Sequence, residues 1–547
     1  MSNAHPEGRR PGRRTVGEWP MQAWSVGRLA AGFAGRRAVL AMAGLCLLAP
    51  AGCLVGPNYH PQETRMPDQW TGPTDKMTVA AEKQAELVHW WTTFNDPLLT
   101  SLVEQAVQSN LDLKLAAARL QQARANYGIA VADQWPQVLA NAGFTRGRAS
   151  AMNGPKPLKA HSLFQVGLDA SYEMDVFGGI ARNVEAAGAD IEASAWDGRD
   201  VLVSVVAEVA LDYMSLRGFQ QRVVIAQRNL KDQQHSAEIT RKRQKGGLVS
   251  DLDVANAEAQ VASTASTIPL FESQARQAIY SLGVLLGQEP AALLKELGPA
   301  AEIPATPPEV PISLPSELLR RRPDIRSAEA QIHAATARIG VATADLFPKF
   351  SMGGSAGFQS NTLQSLLDGK NGFFSFGPSV SYTVFDGGRT ASNIELQKAL
   401  TDQVVITYQQ TILTALQDVE NALIAYSKEQ ENRKFLIEAV AANRKALDIS
   451  IRLYTEGETN FLSVLIAEKN LFDSEDALVQ STQTVSAQLV ALYKALGGGW
   501  NEDPPAPTTQ AAPKAEEKPS PAPKSDLPKP ENPPAQPAPG GAEGAGS

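Results

Sequence analysis

Few residues of this chain have the type and spacing that covalent chemistry needs. Cysteine occurs twice, at Cys46 and Cys53, too few for a disulfide scaffold or a Cys-rich metal site. Cys53 closes the run Leu48-Ala49-Pro50-Ala51-Gly52-Cys53. Small residues ahead of a cysteine match a bacterial lipobox, with Pro50 standing where an aliphatic residue is usual. The run predicts lipidation of Cys53, and cleavage there leaves it the one cysteine of the mature chain. Gly353-Gly354-Ser355-Ala356-Gly357 fits the nucleophile-elbow pattern, but that motif requires a strand–turn–helix setting, and here it lies inside an alternating strand. The six histidines, His5, His60, His89, His161, His235 and His333, are scattered, with no two spaced for one helical face. No phosphate-binding P-loop is present. The expectation is a protein that is not an enzyme and uses no metal or cofactor.

Charge and hydropathy narrow the class further. The net charge of −8 argues against a nucleic-acid partner held by its phosphates. Residues 1–52 carry seven Arg and two Glu, a charge of +5, which leaves −13 on the remainder. A basic start, the apolar run Ala38–Ala49 and then small residues read as a secretory signal peptide. No apolar stretch reaches about 18 residues, which excludes a channel of transmembrane helices.

The elements that would position any site are written twice. Ala123, Ala125, Ala132, Asp133 and Pro136 pair with Ala335, Ala337, Ala344, Asp345 and Pro348 at an offset of 212, and Tyr172, Gly247, Leu252 and Val254 with Tyr382, Gly457, Leu462 and Val464 at 210. Each repeat reads as helix, two strands, very long helix, helix. The strands alternate apolar and polar residues: Phe164, Val166, Leu168, Ala170, Tyr172 and Met174, partnered by Val138, Ala140, Ala142 and Phe144; then Phe350, Met352, Ala356 and Phe358, and Phe374, Phe376, Val380, Tyr382 and Val384. Strands of about ten residues with one apolar face fit a transmembrane barrel wall. Four strands cannot close a barrel, and an open edge cannot face lipid, so closure requires several chains.

Residues 180–245 and 389–455 contain no Pro, and at about 1.5 Å per residue each helix is roughly 100 Å long. Both carry a 4-3-4-3 seam of coiled-coil type. The first runs Leu202, Val206, Val209, Tyr213, Leu216, Gln220, Val223. The second runs Ile412, Leu416, Val419, Leu423, Tyr426 and resumes at Ile437, Val440, Leu447, Ile451 and Tyr454. The expected organisation is a signal peptide over 1–52, a lipid-anchored extended segment over 53–97, a first repeat over 98–298, a linker over 299–315, a second repeat over 316–500, and a disordered Pro/Ala-rich tail over 501–547.

These features resemble the TolC-like outer-membrane channel family, in particular its lipoprotein (NodT-type) branch serving resistance–nodulation–division (RND) pumps. The local matches are Cys53-Leu54-Val55-Gly56-Pro57-Asn58-Tyr59, Tyr172-Glu173-Met174-Asp175-Val176-Phe177-Gly178, Phe385-Asp386-Gly387-Gly388-Arg389, and Leu492-Tyr493-Lys494-Ala495-Leu496-Gly497-Gly498-Gly499-Trp500. The resemblance covers roughly 53–500. It implies a mainly α fold with membrane β: a homotrimer with a periplasmic α-barrel and a 12-stranded β-barrel to which each chain gives four strands. It also implies outer-membrane lipid around the barrel and docking to a periplasmic adaptor protein and an inner-membrane RND pump that supplies the energy.

In the resemblance, the two helix-pair turns form the tunnel tip. Gly247-Leu248-Val249-Ser250 and Gly457-Glu458-Thr459-Asn460 stand where the adaptor makes contact. Asp251, Asp253, Tyr454, Leu462, Ser463 and Ile466 stand at the constriction. Asp253 and Tyr454 match closing-contact positions, while Ser463 and Ile466 replace residues that are often acidic. The plain alternative for Asp251 and Asp253 is a pair of helix N-terminal carboxylates. The functional expectation is a passive duct for drugs or other small molecules. Alternatives are a channel for heavy-metal export or type I protein secretion, or a trimeric surface coiled coil with no pore.

Overall fold

The computed structural model describes residues 54–72, 77–78, 87–148, 160–307, 310–311 and 314–501. The signal peptide, Cys53 and the tail beyond Asn501 lie outside the described residues. The first half of the chain forms α1 (Pro97–Ser109), α2 (Leu111–Ala132), β1 (Gln137–Gly147), β2 (His161–Met174), α3 (Gly179–Lys245) and α4 (Asp251–Leu285). The second half forms α5 (Pro323–Ala344), β3 (Lys349–Ser360), β4 (Gly372–Ser381), α6 (Arg389–Glu456) and α7 (Phe461–Ala495). The offsets of 212 and 210 recur in these bounds: α2 and α5 begin at 111 and 323, and α4 and α7 at 251 and 461.

The 67-residue α3 and 68-residue α6 are each about 100 Å long. Their starts are built alike. Gly178 and Gly388 adopt the left-handed conformation, φ 76° and 88°. A carboxylate just upstream then takes the free N–H groups of the first turn. Asp175 accepts from Ala181 N at 2.7 Å; Asp386 accepts from Gly388 N at 2.9 Å and Thr390 N at 2.8 Å. Hydrogen bonds from the Thr390 hydroxyl and backbone, then from Gly388, hold the Asp386 carboxyl down at about 2.

The four strands make one antiparallel sheet in the order β1-β2-β3-β4. Its register sorts the two faces. Across the middle, Ala140, Leu168, Ala356 and Phe374 lie side by side, and Val138, Ala170, Gly354 and Phe376 form the next apolar row. The alternate rows hold Gln137, Ser171, Gly353 and Gly377, or Leu139, Asp169, Ser355 and Ser375. A one-residue slip would exchange the faces, so this register sets an apolar wall on one side and a polar wall on the other. Ser355 belongs to the polar wall, its hydroxyl 2.7 Å from that of Ser375. The apparent nucleophile elbow is therefore strand interior.

Two expectations need correction. The alternating pattern carries the last strand to Val384, but β4 ends at Ser381, and Tyr382 and Val384 are exposed. The chain must leave the sheet there to reach the Asp386-Gly387-Gly388 turn. Ile437 is exposed and Leu436 half-buried, so the α6 seam runs through Leu436. Two adjacent apolar residues leave a heptad reading ambiguous by one position.

The main core lies where the helix layers cross. Val206, Val209, Tyr213, Met214 and Leu216 of α3 meet Leu282 of α4, Ile412, Val419 and Leu423 of α6, and Leu489 and Tyr493 of α7. Trp90 stacks on Tyr493 with ring centroids 5.2 Å apart. A smaller cluster at the far end of the helices joins Ala237, Ala257, Leu447, Tyr454, Phe461, Val464, Ala467 and Leu471.

Candidate gate at the helical tip

Both turns at the far end use the same local design. α3 ends with Leu248 N donating to Arg243 O at 2.9 Å and Gly247 N to Gln244 O at 2.8 Å; α6 ends with Glu458 N to Leu453 O at 2.9 Å and Gly457 N to Tyr454 O at 3.1 Å. This is the Schellman pattern, which requires a left-handed residue. Gly247 and Gly457 supply it at φ 73° and 85°. Three residues on, Ser250 and Asn460 cap α4 and α7.

The expected site residues fall into two groups here. Asp253 closes a capping box: its carboxylate accepts from Ser250 N at 3.0 Å and from the Ser250 hydroxyl at 2.9 Å. Asp251 accepts from Gln244 at 2.7 Å. Ser463 donates to Asn460 Oδ1 and accepts from Thr459 at 3.0 Å. Tyr454 is 4% exposed, its hydroxyl 3.3 Å from Thr240. These four side chains fold the chain's own tip. Within one chain Asp253 is engaged on its own hairpin and Tyr454 reaches across to α3.

Leu462 and Ile466 form the second group. They lie one turn apart on α7, each 51% exposed. Leu248 and Leu252 are also exposed, so the tip presents apolar side chains from both hairpins. Leu252 was not among the expected constriction residues, although the repeat pairs it with Leu462. Of the turn residues, Leu248 and Glu458 are exposed, while Val249 and Thr459 are half-buried.

Arg243 was missed altogether. It extends from α3 to the end of α6 and donates to the carbonyls of Tyr454 at 2.8 Å and Thr455 at 3.2 Å. Its guanidinium also lies 4.7 Å from the centre of the Tyr454 ring. A cation is favoured at the negative end of a helix dipole and over an aromatic face, so one side chain locks the two hairpins together.

At the opposite end of the helices the N-terminal segment is fastened beside the sheet. Val55 N donates to Phe177 O at 3.3 Å, and Arg182 to Asn58 at 2.6 Å. Gly56 lies on Gly340, where an added Cβ would come within 2.5 Å of backbone. Farther along, Tyr59 stacks on His333, and Glu420 accepts from Thr71 N and Gly72 N. The residue after Cys53 thus sits where β2 passes into α3.

A family model described as outer membrane efflux protein matches residues 102–288 and 314–498, following the two halves of the fold. Nodulation protein T of Rhizobium leguminosarum bv. trifolii is 30% identical over 453 residues, 82% of this chain and 95% of that protein. The toluene efflux pump outer membrane protein TtgC of Pseudomonas putida is 33% identical over 456 residues, 82% of this chain and 93% of that protein. Among solved structures, the outer-membrane channel OprN superposes with a TM-score of 0.75 at 35% identity, covering 82% of this chain and all of that one.

Proposed function

The chain belongs to the outer membrane efflux protein family, and from that premise we propose that it is the outer-membrane duct of a tripartite efflux system, working as a homotrimer. Its substrates are drugs or other small molecules, delivered through a periplasmic adaptor by an inner-membrane RND pump. The carrying observation is the sheet. It has one apolar and one polar face, and among the described residues its outer strands β1 and β4 each lack a neighbour on one side. Such a wall is stable in lipid only when other copies close it.

The helices support the same reading. α2 and α5 are equal in length, 22 residues. α5 lies between α3 and α6 and buries twelve residues; α2 packs chiefly on α3 and buries Ala116, Ala123 and Ala130. The vacant flank of α2 is where α6 of the next copy fits.

At the tip, closure is by an apolar plug built from Leu462 and Ile466, with Leu252 as its counterpart from the first hairpin. The adaptor binds the turns Gly247–Ser250 and Gly457–Asn460. Cys53 carries the lipid, and the attachment of Leu54 and Val55 at the β2–α3 junction holds it at the membrane surface.

Ion conductance in planar bilayers, with the oligomer mass measured in the same detergent, tests the reading. The expected result is a trimer of small conductance that rises severalfold when Leu462 and Ile466 are both replaced by Ala. A folded helical oligomer silent under every condition would favour the surface coiled coil. Mass spectrometry of the mature chain against Cys53→Ser tests the anchor.

A further inference from the structure

Toward the tip, the seam between α3 and α7 changes from apolar to polar. Asn229, Gln233, Ser236 and Thr240 follow at 4-3-4 spacing and all are buried. Opposite them α7 places Glu475 and Glu468, both 4% exposed. The two carboxylates are served differently. Glu475 contacts Arg228, Arg444 at 2.6 Å and Asn229 at 3.0 Å. Glu468 has a hydrogen bond from the Ser236 hydroxyl at 2.5 Å, and no cation is paired with it among the described residues.

The elements around Glu468 supply no counter-charge. α3 gives Ser236 and the like-charged Asp232, while its His235 and Lys231 are exposed. α6 gives the tip-cluster residues Leu447 and Ile451; its Arg444 is engaged by Glu475 and its Arg452 is exposed. From α4 come Ala257 and Val261, with Glu258 held by Arg241. On α7 itself, Lys469 pairs with Asp473 at 2.5 Å. Burial pushes the Glu468 carboxyl up, the Ser236 hydroxyl opposes the rise, and Asp232 adds to it. One turn along the seam, both amide atoms of Gln233 are buried without a partner among the described residues, so Gln233 adds no pairing that holds this turn closed.

We propose that Glu468 and Ser236 form a proton-linked latch that sets how tightly the tip closes. Protonated, the carboxyl is a neutral group that the seam accommodates. Ionised, it is an unpaired buried charge that favours parting α7 from α3 toward water. The closed seam binds the proton more tightly than a solvated Glu does. Acid therefore favours closure, and closure weakens as pH rises from the ordinary Glu range through the raised value. This rests on the channel reading above.

The test is conductance of the full-length protein in planar bilayers from about pH 5 to about pH 8, bracketing a raised carboxyl above its ordinary value. Wild type should open more as pH rises, by at most about tenfold per pH unit for each chain. Glu468→Gln should hold the low-pH level throughout. Ser236→Ala, which keeps the titrating group, should move the rise to higher pH. Glu468→Gln with the wild-type slope, at unchanged oligomer mass, overturns the latch. So does a wild type that conducts without pH dependence, which leaves the channel reading intact. If even the Leu462/Ile466 variant is silent, the channel reading fails. Amide exchange over 461–471, corrected for intrinsic rates, then decides the latch alone: protection that grows in acid supports it, and protection insensitive to pH overturns it.

Discussion

Arg243 donates to two end carbonyls of α6 and covers the Tyr454 ring, so it joins hairpins whose contacting residues are 211 positions apart. Arg243→Leu keeps the apolar stem and removes both interactions, at a cost of about 1–3 kcal/mol. The expected outcome is faster proteolytic nicking at the 457–460 turn and higher basal conductance, with partial rescue by Lys; unchanged nicking would contradict the role. Glu475 gives a pH test of opposite sense to Glu468. Burial raises its pKa, but the Asn229 amide, Arg444 and Arg228 outweigh that and hold it low. Its stabilisation is present above the ordinary carboxylate range and is lost as pH falls through the lowered value. Glu475→Gln should therefore be less stable at neutral pH by about 1–3 kcal/mol, and the gap should narrow as pH falls below the ordinary carboxylate range and through the lowered value; a gap that does not change with pH would refute it. Asp253 was legible as a capping residue from Ser250-x-x-Asp253, whereas Leu252 was not read as a constriction residue although its repeat partner Leu462 was. Arg243 and Glu468 were not legible, because their partners belong to other helices and no local period records them.

The strands and long helices were legible because their periods, 2 and about 3.5, belong to the backbone and not to any one neighbour. Helix starts at 179 and 389 and turns at 247 and 457 follow from the glycines. What the period leaves open is where an element stops, as at Ser381, and which of two adjacent apolar residues is buried, as at Leu436 and Ile437. The sheet register also gives a clean contrast between its faces. Leu168 sits mid-strand in the apolar row, between Ala140 and Ala356, whereas Ser355 sits mid-strand in the polar row. Lys at a lipid-facing mid-bilayer position costs about 2–4 kcal/mol. Leu168→Lys should reduce membrane-inserted, heat-resistant oligomer strongly, while Ser355→Lys should leave it intact and alter ion selectivity instead. Equal loss of oligomer from both would mean that the faces are not divided between lipid and water.

For the whole molecule, one chain leaves apolar surfaces exposed among the described residues. α6 carries an exposed apolar stripe of Ile406, Leu413, Ile424, Phe435 and Ile449, at separations of 7, 11, 11 and 14 residues that return to nearly the same face of a 3.6-residue helix. Among the described residues nothing covers this stripe, and α2 has an uncovered flank with Leu115 and Ile129 exposed. If these surfaces meet between copies, each stripe residue contributes about 1–2 kcal/mol of burial per interface, and a charge there is left without solvent. Ile424→Asp should shift the mass in detergent from trimer toward monomer while the monomer keeps its helical content. A conservative control at the same position, Ile424→Leu, should remain trimeric. A trimer unaffected by Ile424→Asp would place the inter-copy contact on another face of α6 and remove the stripe from the assembly.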